Sequence, residues 1–325
     1  MATKPEGKKG INLTRYSAMK RSVLGLARIN LTRKRLSRIK LEKQVKMVLL
    51  GTLLGDGSLG IYDNYSNARF QMRHSVKQTE WFNWKASVLK DLGTEKGIHF
   101  QKADGFQVNK GSATSPQGKW HFQTRALPVL TELLDIISKK GKKYVKREWL
   151  NQLTAEALAV WWLDDGSLVK NRKNGIFCTQ GFSLKENKVL SSYLKVVWGV
   201  QTKVTKATQK KNAPISNQYV LRLNTENLRS FLKIIMPFIP VSSMIYKCCV
   251  DDIDIELQQR WISEMKRTLP QFSVEIDRIY AMYSKNYTKR RERHSPIRIK
   301  PELRSFITLF AEGVEGVGKE FERPS

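Results

Sequence analysis

One pattern occurs twice in this chain and constrains what the chain can fold into. Leu49-Leu50-Gly51-Thr52-Leu53-Leu54-Gly55-Asp56-Gly57-Ser58-Leu59 and Leu158-Ala159-Val160-Trp161-Trp162-Leu163-Asp164-Asp165-Gly166-Ser167-Leu168 share one layout. In both, an apolar run ends in an acid followed by Gly, Ser and Leu, and a polar segment comes next. Asp56 and Asp165 are 109 residues apart, about the size of a small domain, so the chain reads as two copies of one unit. Each apolar run is too short to span a bilayer and long enough to form a buried helix. Gly51 and Gly55 lie four apart, on one helix face. Glycine inside a helix costs about 1 kcal/mol relative to Ala, so two of them call for a reason. Close approach of a second helix is one; a buried helix with incidental glycines is the alternative.

Each acid would sit at the C-terminal end of its helix, the negative end of the macrodipole, where a carboxylate is disfavoured. Packing the helices together would bring Asp56 and Asp165 close, and two carboxylates there repel unless a cation neutralises them. Hard oxygen ligands of this kind suit Mg²⁺, which commonly binds one or two carboxylates together with water and phosphate oxygens. The pattern points to metal-dependent phosphodiester chemistry.

The charge balance names the partner class. The 325 residues include 58 Lys+Arg against 29 Asp+Glu, a formal charge of +29. Such a chain calls for a polyanion, with nucleic acid the natural one and a membrane surface the weaker. No apolar run reaches transmembrane length. Cys178, Cys248 and Cys249 make no C-x-x-C pair, and four His leave little basis for zinc or a disulfide framework.

In chain order, residues 1–41 are basic, with no acid between Glu6 and Glu42 and dense clusters at Arg33-Lys34-Arg35 and Arg38-Ile39-Lys40. A phosphate-binding arm, an organellar transit peptide and a solvated tail all fit that composition. From 42 the first unit reads as the motif helix and its polar follower, an alternating strand over 68–74, a helix over 80–92, strands at 98–101 and 120–125, and a helix over 127–137. Residues 103–118 read as a Gly/Ser-rich loop. The second unit repeats the order, with strands at 175–180, 203–206 and 219–224 and helices over 184–198 and 228–236. Each unit is α-β-β-α-β-β-α. The expected boundaries are a basic extension 1–41, a first unit 42–144, a second unit 145–250 and a basic C-terminal extension 251–325. In the last, Ile255, Leu257, Trp261 and Met265 suggest an amphipathic helix.

The outward strand positions carry Arg69, Gln71, Arg73, Gln101, His121, Gln123, Arg125, Lys203, Arg222 and Asn224. Arg and Lys pair with guanine, Gln and Asn with adenine, so a twisted sheet presenting them could read the major groove. An ordinary solvated face would mix in more acid.

These residues together resemble the LAGLIDADG homing endonucleases in their single-chain, two-motif form, and most of all the group of the yeast mitochondrial omega-intron endonuclease. The likeness covers roughly 42–250. It rests on the doubled motif, on Leu153-Thr154 through Asp164-Asp165-Gly166, on Thr179-Gln180 with Phe182, and on Ser243-Met244-Ile245-Tyr246-Lys247. It implies an α+β fold in which two pseudo-symmetric units form a saddle of antiparallel sheets around two central motif helices. It implies Asp56 and Asp165 as catalytic, metal-binding acids, with Gly55 and Asp164 in the metal set, and Lys143 and Lys247 as catalytic lysines. Lys143 matches with a one-residue gap that also admits Lys142. Val160 stands where the second motif should have Gly, with Trp161 and Trp162 after it, which weakens the close-packing argument for that helix. Asp164 reads most simply as a surface residue at a helix end.

The implied activity is site-specific double-strand DNA cleavage that promotes intron homing, with Mg²⁺ as cofactor and Mn²⁺ able to substitute. The implied partner is duplex DNA with a long asymmetric target, bound by a monomer with no membrane involved. Intron RNA is the partner in the alternative reading, a group I intron maturase on the same scaffold. The implied setting is an organelle, chloroplast or mitochondrion. The end residues that protein self-splicing requires are absent, so an intein is not expected.

Overall fold

The structure, a computed structural model, describes residues 39–294 except 63, 103–117, 170–171, 208–216 and 253. The clusters Arg33-Lys34-Arg35 and Arg38, nearly all of the 103–118 loop and residues 295–325 therefore lie outside the described residues.

The element order is the one the sequence suggests. The first unit runs α1 (Lys43–Leu54), β1 (Gly57–Gly60), β2 (Arg69–Ser75), α2 (Thr79–Val88), β3 (Gly93–Gln101), β4 (Lys119–Thr124) and α3 (Pro128–Ile137). A short hairpin, β5 (Ser138–Lys139) and β6 (Lys142–Lys143), and a single helical turn, α4 (Arg147–Leu150), lead to the second unit. That unit runs α5 (Ala155–Asp165), β7 (Gly166–Val169), β8 (Asn174–Phe177), α6 (Leu184–Trp198), β9 (Lys203–Lys206), β10 (Tyr219–Leu223) and α7 (Thr225–Ile235). The sheets have matching antiparallel topologies, β1-β2-β4-β3 and β7-β8-β10-β9. The registers match as well, with Gly57 opposite Met72 and Gly166 opposite Phe177. This is the expected α+β architecture, two pseudo-symmetric units about two motif helices.

The local signals act as physical chemistry requires. In β2, Phe70, Met72 and His74 face inward and are buried, while Arg69, Gln71 and Arg73 alternate outward. Helix α6 begins at a capping box in which Ser183 and Glu186 exchange side-chain and backbone bonds, and stops at Gly199, whose φ is 67°.

Helices α1 and α5 pack face to face, and glycine sets how closely. A Cβ on Gly51 would run into the Ala157 carbonyl oxygen and come within 2.7 Å of Val160 Cβ. A Cβ on Gly55 would come within 2.7 Å of Asp164 Cβ. Position 51 corresponds to 160 and position 55 to 164, so each time the first helix supplies the space that the second fills. Val160 therefore does not loosen the packing, because its bulk enters the gap at Gly51. Trp161 and Trp162 point elsewhere, into the second unit's core. Trp161 stacks on Phe177 at 4.2 Å, and Trp162 meets Phe177 and Phe231 edge-on at 5.1 and 5.6 Å.

Beyond the second unit, α8 (Ile255–Thr268) and α9 (Ser273–His294) continue the fold. Trp261 Nε1 donates to the Cys248 carbonyl at 3.1 Å and Tyr280 Oη to that of Val250 at 2.8 Å. Trp261, Ile262, Met265, Ile276 and Ile279 join the main core. In α8, Trp261 and Met265 bury as the amphipathic pattern suggests, while Ile255 and Leu257 stay exposed. No described helix is long and apolar enough to cross a membrane.

Gly51→Ala should destabilise the protein by about 1–3 kcal/mol, the usual range for overpacking a filled interface. Gly60→Ala, where an added Cβ meets nothing within 4 Å, should stay within about 0.5 kcal/mol of wild type. Urea denaturation of the two variants checks the difference.

Candidate active site

The site is built from the C-terminal ends of α1 and α5. Asp165 is the last residue of α5, and Asp56 follows α1 by two residues. Helix C-termini leave carbonyl oxygens without intrahelical partners, and a lysine serves each end. Lys143 Nζ, from β6, donates to the carbonyls of Leu53 at 2.8 Å and Gly57 at 3.2 Å. Lys247 Nζ donates to those of Leu163 at 2.5 Å and Asp164 at 3.0 Å. Lys143 is exposed although its ammonium is tied down, whereas Lys247 is buried. Lys142 stays exposed at the hairpin, so Lys143 is the lysine that reaches the helix ends.

The two acids share one electrostatic environment. Burial pushes Asp56 up to about 6, with Asp164 adding to the rise and Lys85, Lys247 and Lys143 opposing it. Burial pushes Asp165 up to about 8, with Asp56 and then Asp164 adding their repulsion. Lys143 and Lys247 are held below the usual lysine value, chiefly by burial, while the three aspartates pull them back up. Four of the sequence-derived site residues, Asp56, Asp165, Lys143 and Lys247, thus act on one another.

Asp164 departs from its surface reading. Its side chain is fully buried, and Oδ1 accepts from Trp81 Nε1 at 2.7 Å and from Lys85 Nζ at 2.7 Å. Burial leaves the carboxylate no water to turn to, so it is paired instead. His74 lies between it and Asp56, with Nδ1 3.7 Å from Asp56 Oδ2 and Nε2 3.9 Å from Asp164 Oδ1. Burial, then the Lys85 charge, push His74 down to about 4, so the ring is neutral near pH 7. Sequence reasoning missed His74, Trp81 and Lys85. The signals were there: His74 continues the inward parity of Phe70 and Met72, and Lys85 lies four residues after Trp81 on the apolar side of α2.

These groups fit a divalent cation. Ligand atoms of Asp56, His74 and Asp164 all lie within 4.8 Å of one another. Asp164 Oδ2 and His74 Nε2 are buried without a hydrogen-bond partner. Two aspartates with raised pKa values supply hard oxygen donors whose repulsion a cation would relieve.

The polar sheet face corrects part of the sequence-derived DNA set. In the first unit cross-strand rows place Ser58 beside Gln71 and Gln123, Arg73 beside His121 and His99, and Ser75 beside Lys119 and Gln101. Arg73 and Gln101 are exposed, Arg69, Gln71 and Gln123 half-buried, and Gln71 and Arg73 join Asp56 and Ser58 around a cavity of about 220 Å³. In the second unit Ser167, Ile176, Arg222 and Lys203 form a row. Three residues do not sit as open outward strand positions. His121 is buried under His99, because the rings pack at 4.4 Å. Arg125 lies past the end of β4 and its guanidinium donates to the Asp91 carbonyl. Asn224 caps α7, its side chain accepting from Asn227 N at 2.9 Å.

The profile of the LAGLIDADG DNA endonuclease family matches residues 46–231, more than half of the chain. The chain belongs to the LAGLIDADG DNA endonuclease family. Among curated relatives, the DNA endonuclease I-ChuI of Chlamydomonas applanata is 27% identical over 222 residues, covering 64% of this chain and 96% of that enzyme. A RecA protein of Mycolicibacterium flavescens is 26% identical over 222 residues, covering 64% of this chain and 47% of that protein. The chain thus spans about half the length of the RecA relatives it matches. The homing endonuclease I-WcaI, solved bound to its DNA recognition sequence, shares the fold with a TM-score of 0.56 and 19% identity, over 69% of this chain and 93% of that one. LAGLIDADG endonucleases use divalent metal ions, in agreement with the donor group of Asp56, His74 and Asp164.

The pKa shifts set a pH dependence for the metal-free protein. Asp56 and Asp165 are raised above the ordinary 3.8, so their contribution to stability is complete below about pH 4 and is lost as pH rises through about 6 and about 8. His74 and His121, both pushed down to about 4, work the other way below 6.5. Between pH 6.5 and 8 the Asp165 effect is unopposed by the histidines. The Tm should fall across that window in EDTA, recover with added divalent cation, and become nearly flat in Asp165→Asn. A thermal melt series checks this, and a wild-type Tm that does not fall would contradict it.

Proposed function

We propose that this chain is a site-specific double-strand DNA endonuclease of the homing type, with Mg²⁺ as its natural cation and Mn²⁺ able to substitute. The observation that carries the reading is the joint environment of Asp56 and Asp165 at the paired ends of α1 and α5, with a lysine ammonium at each end. Asp56 and Asp165 would hold the cation, with Gly55 and Asp164 beside them. Asp164 has only Oδ2 to offer, because Oδ1 is committed to Trp81 and Lys85. When bound, the cation supplies Lewis-acid polarisation of the phosphate and a more acidic water.

The chain's own residues do the rest. Lys143 and Lys247 place positive charge where a phosphate between the two acids develops negative charge. Their ammoniums are anchored on helix-end carbonyls, so little reorganisation is needed at the moment of reaction. The sheet faces seat the duplex. Arg69, Gln71, Arg73, Gln101 and Gln123 in the first unit, with Lys203 and Arg222 in the second, are the proposed contacts, and the unlike rows of the two sheets fit an asymmetric target. One chain carries both halves, so a monomer suffices. The proposed units are 42–144 and 145–250, and an organellar intron is the proposed genetic setting, which the Chlamydomonas applanata relative supports.

A plasmid carrying the intronless allele of the host gene should be linearised with Mg²⁺ and left intact in EDTA. Asp56→Asn and Asp165→Asn should each slow linearisation by about 10³-fold, the scale expected when several kcal/mol of metal-based stabilisation are removed. Undiminished cleavage by either variant, in a gel-based time course, would refute the assignment.

A further inference from the structure

The pseudo-symmetry of the two units breaks at one place, beside the acids. Matching strand registers equate position 74 with 179, and matching motifs equate position 55 with 164. At the Asp56 side these positions bring in an imidazole, His74, and a buried carboxylate from the other unit, Asp164. At the Asp165 side the matching residues are Thr179 and Gly55. Thr179 is turned into its own unit, donating from Oγ1 to Asn187 Oδ1 at 2.5 Å, and Gly55 has no side chain. Among the described residues, the one group of three potential metal-binding side chains is Asp56, His74 and Asp164.

The break is built rather than incidental. Gly55 leaves the space that Asp164 Cβ occupies. Lys85 is fully buried and its ammonium ends on Asp164 Oδ1, with Trp81 Nε1 on the same oxygen. A lysine this deep is rarely retained without a partner. Trp81 and Lys85 both come from α2 of the first unit, so the ion pair ties that helix to the end of the second unit's motif helix. His74 is in turn fixed by Gln78 Oε1, 3.2 Å from Nδ1, and by Phe82 packed against its ring.

We infer that Asp164, Lys85 and His74 form a buried positioning group set against the Asp56 half of the site, with no counterpart at the Asp165 half among the described residues, so that the two DNA strands meet unequal half-sites. This rests on the endonuclease reading and deepens it. His74 walls the Asp56 carboxylate at 3.7 Å and limits where it can turn, and the group does so without contacting DNA, because all three side chains are buried. Among the described residues the Asp165 side has no matching imidazole, since Thr179 stands there and is turned into its own unit.

The test follows each strand separately on a target duplex carrying a different label at each 5′ end. Wild type should cut one strand several-fold faster, so that nicked duplex builds up before linear product. His74→Gln and Asp164→Asn should change the ratio of the two strand rates by about tenfold, and act on kcat rather than KM. Duplex affinity in EDTA should stay within about threefold of wild type. Asp164→Asn leaves Lys85 without its charge partner and can cost stability, so a paired Lys85→Met with Asp164→Asn variant is added. It should recover the Tm and keep the altered strand ratio. Equal strand rates in wild type, or variants that slow both strands alike, would overturn the inference. A wild-type protein that cuts neither strand would instead sink the endonuclease reading on which it rests.

Discussion

The structure depends on the close approach of α1 and α5. Gly51 and Gly55 carry no side chains, and Ala157, Val160 and Asp164 fill the space so left. Packing at this distance buries most of both helices and places their C-terminal ends side by side. The helix contact is one-sided, with small residues on the first helix and larger ones on the second.

From that contact the electrostatics follow. Two carboxylates at the negative ends of two helices are in an unfavourable field, and burial raises both pKa values. Among the described residues no arginine pairs with Asp56 or Asp165; lysines are tied to the neighbouring carbonyls instead. Of the three acids at the helix ends, the one paired with a lysine is Asp164, through Lys85. Asp164 and Asp165 are adjacent in sequence and opposite in treatment, one with an oxygen locked in an ion pair and the other without an ion pair among the described residues.

The fold was largely legible in the sequence because it is written in local periodicity. Alternation over 68–74 and helical spacing from Leu184 to Trp198 need no tertiary information, and both elements stand where expected. Asp56 and Asp165 were legible because the motif is repeated. What failed is what depends on tertiary contacts. Asp164 at a helix end reads as solvated until α2 brings Lys85 against it. His121 has outward parity, yet His99 covers it from the next strand. Asn224 looks like one more residue of β10, yet its side chain is the cap of α7, a local signal that strand alternation masked. Trp161 and Trp162 looked too bulky for a helix pair, and only their direction, into the second unit's core, removes the objection.

The most direct measurement of the central claim is anomalous diffraction from crystals of the protein with its target duplex and Mn²⁺. The account expects manganese between the ends of α1 and α5, within coordination distance of carboxylate oxygens of both Asp56 and Asp165 and of a backbone phosphate. Manganese bound elsewhere, or Asp56 and Asp165 turned to separate surroundings with no phosphate in common, would contradict it.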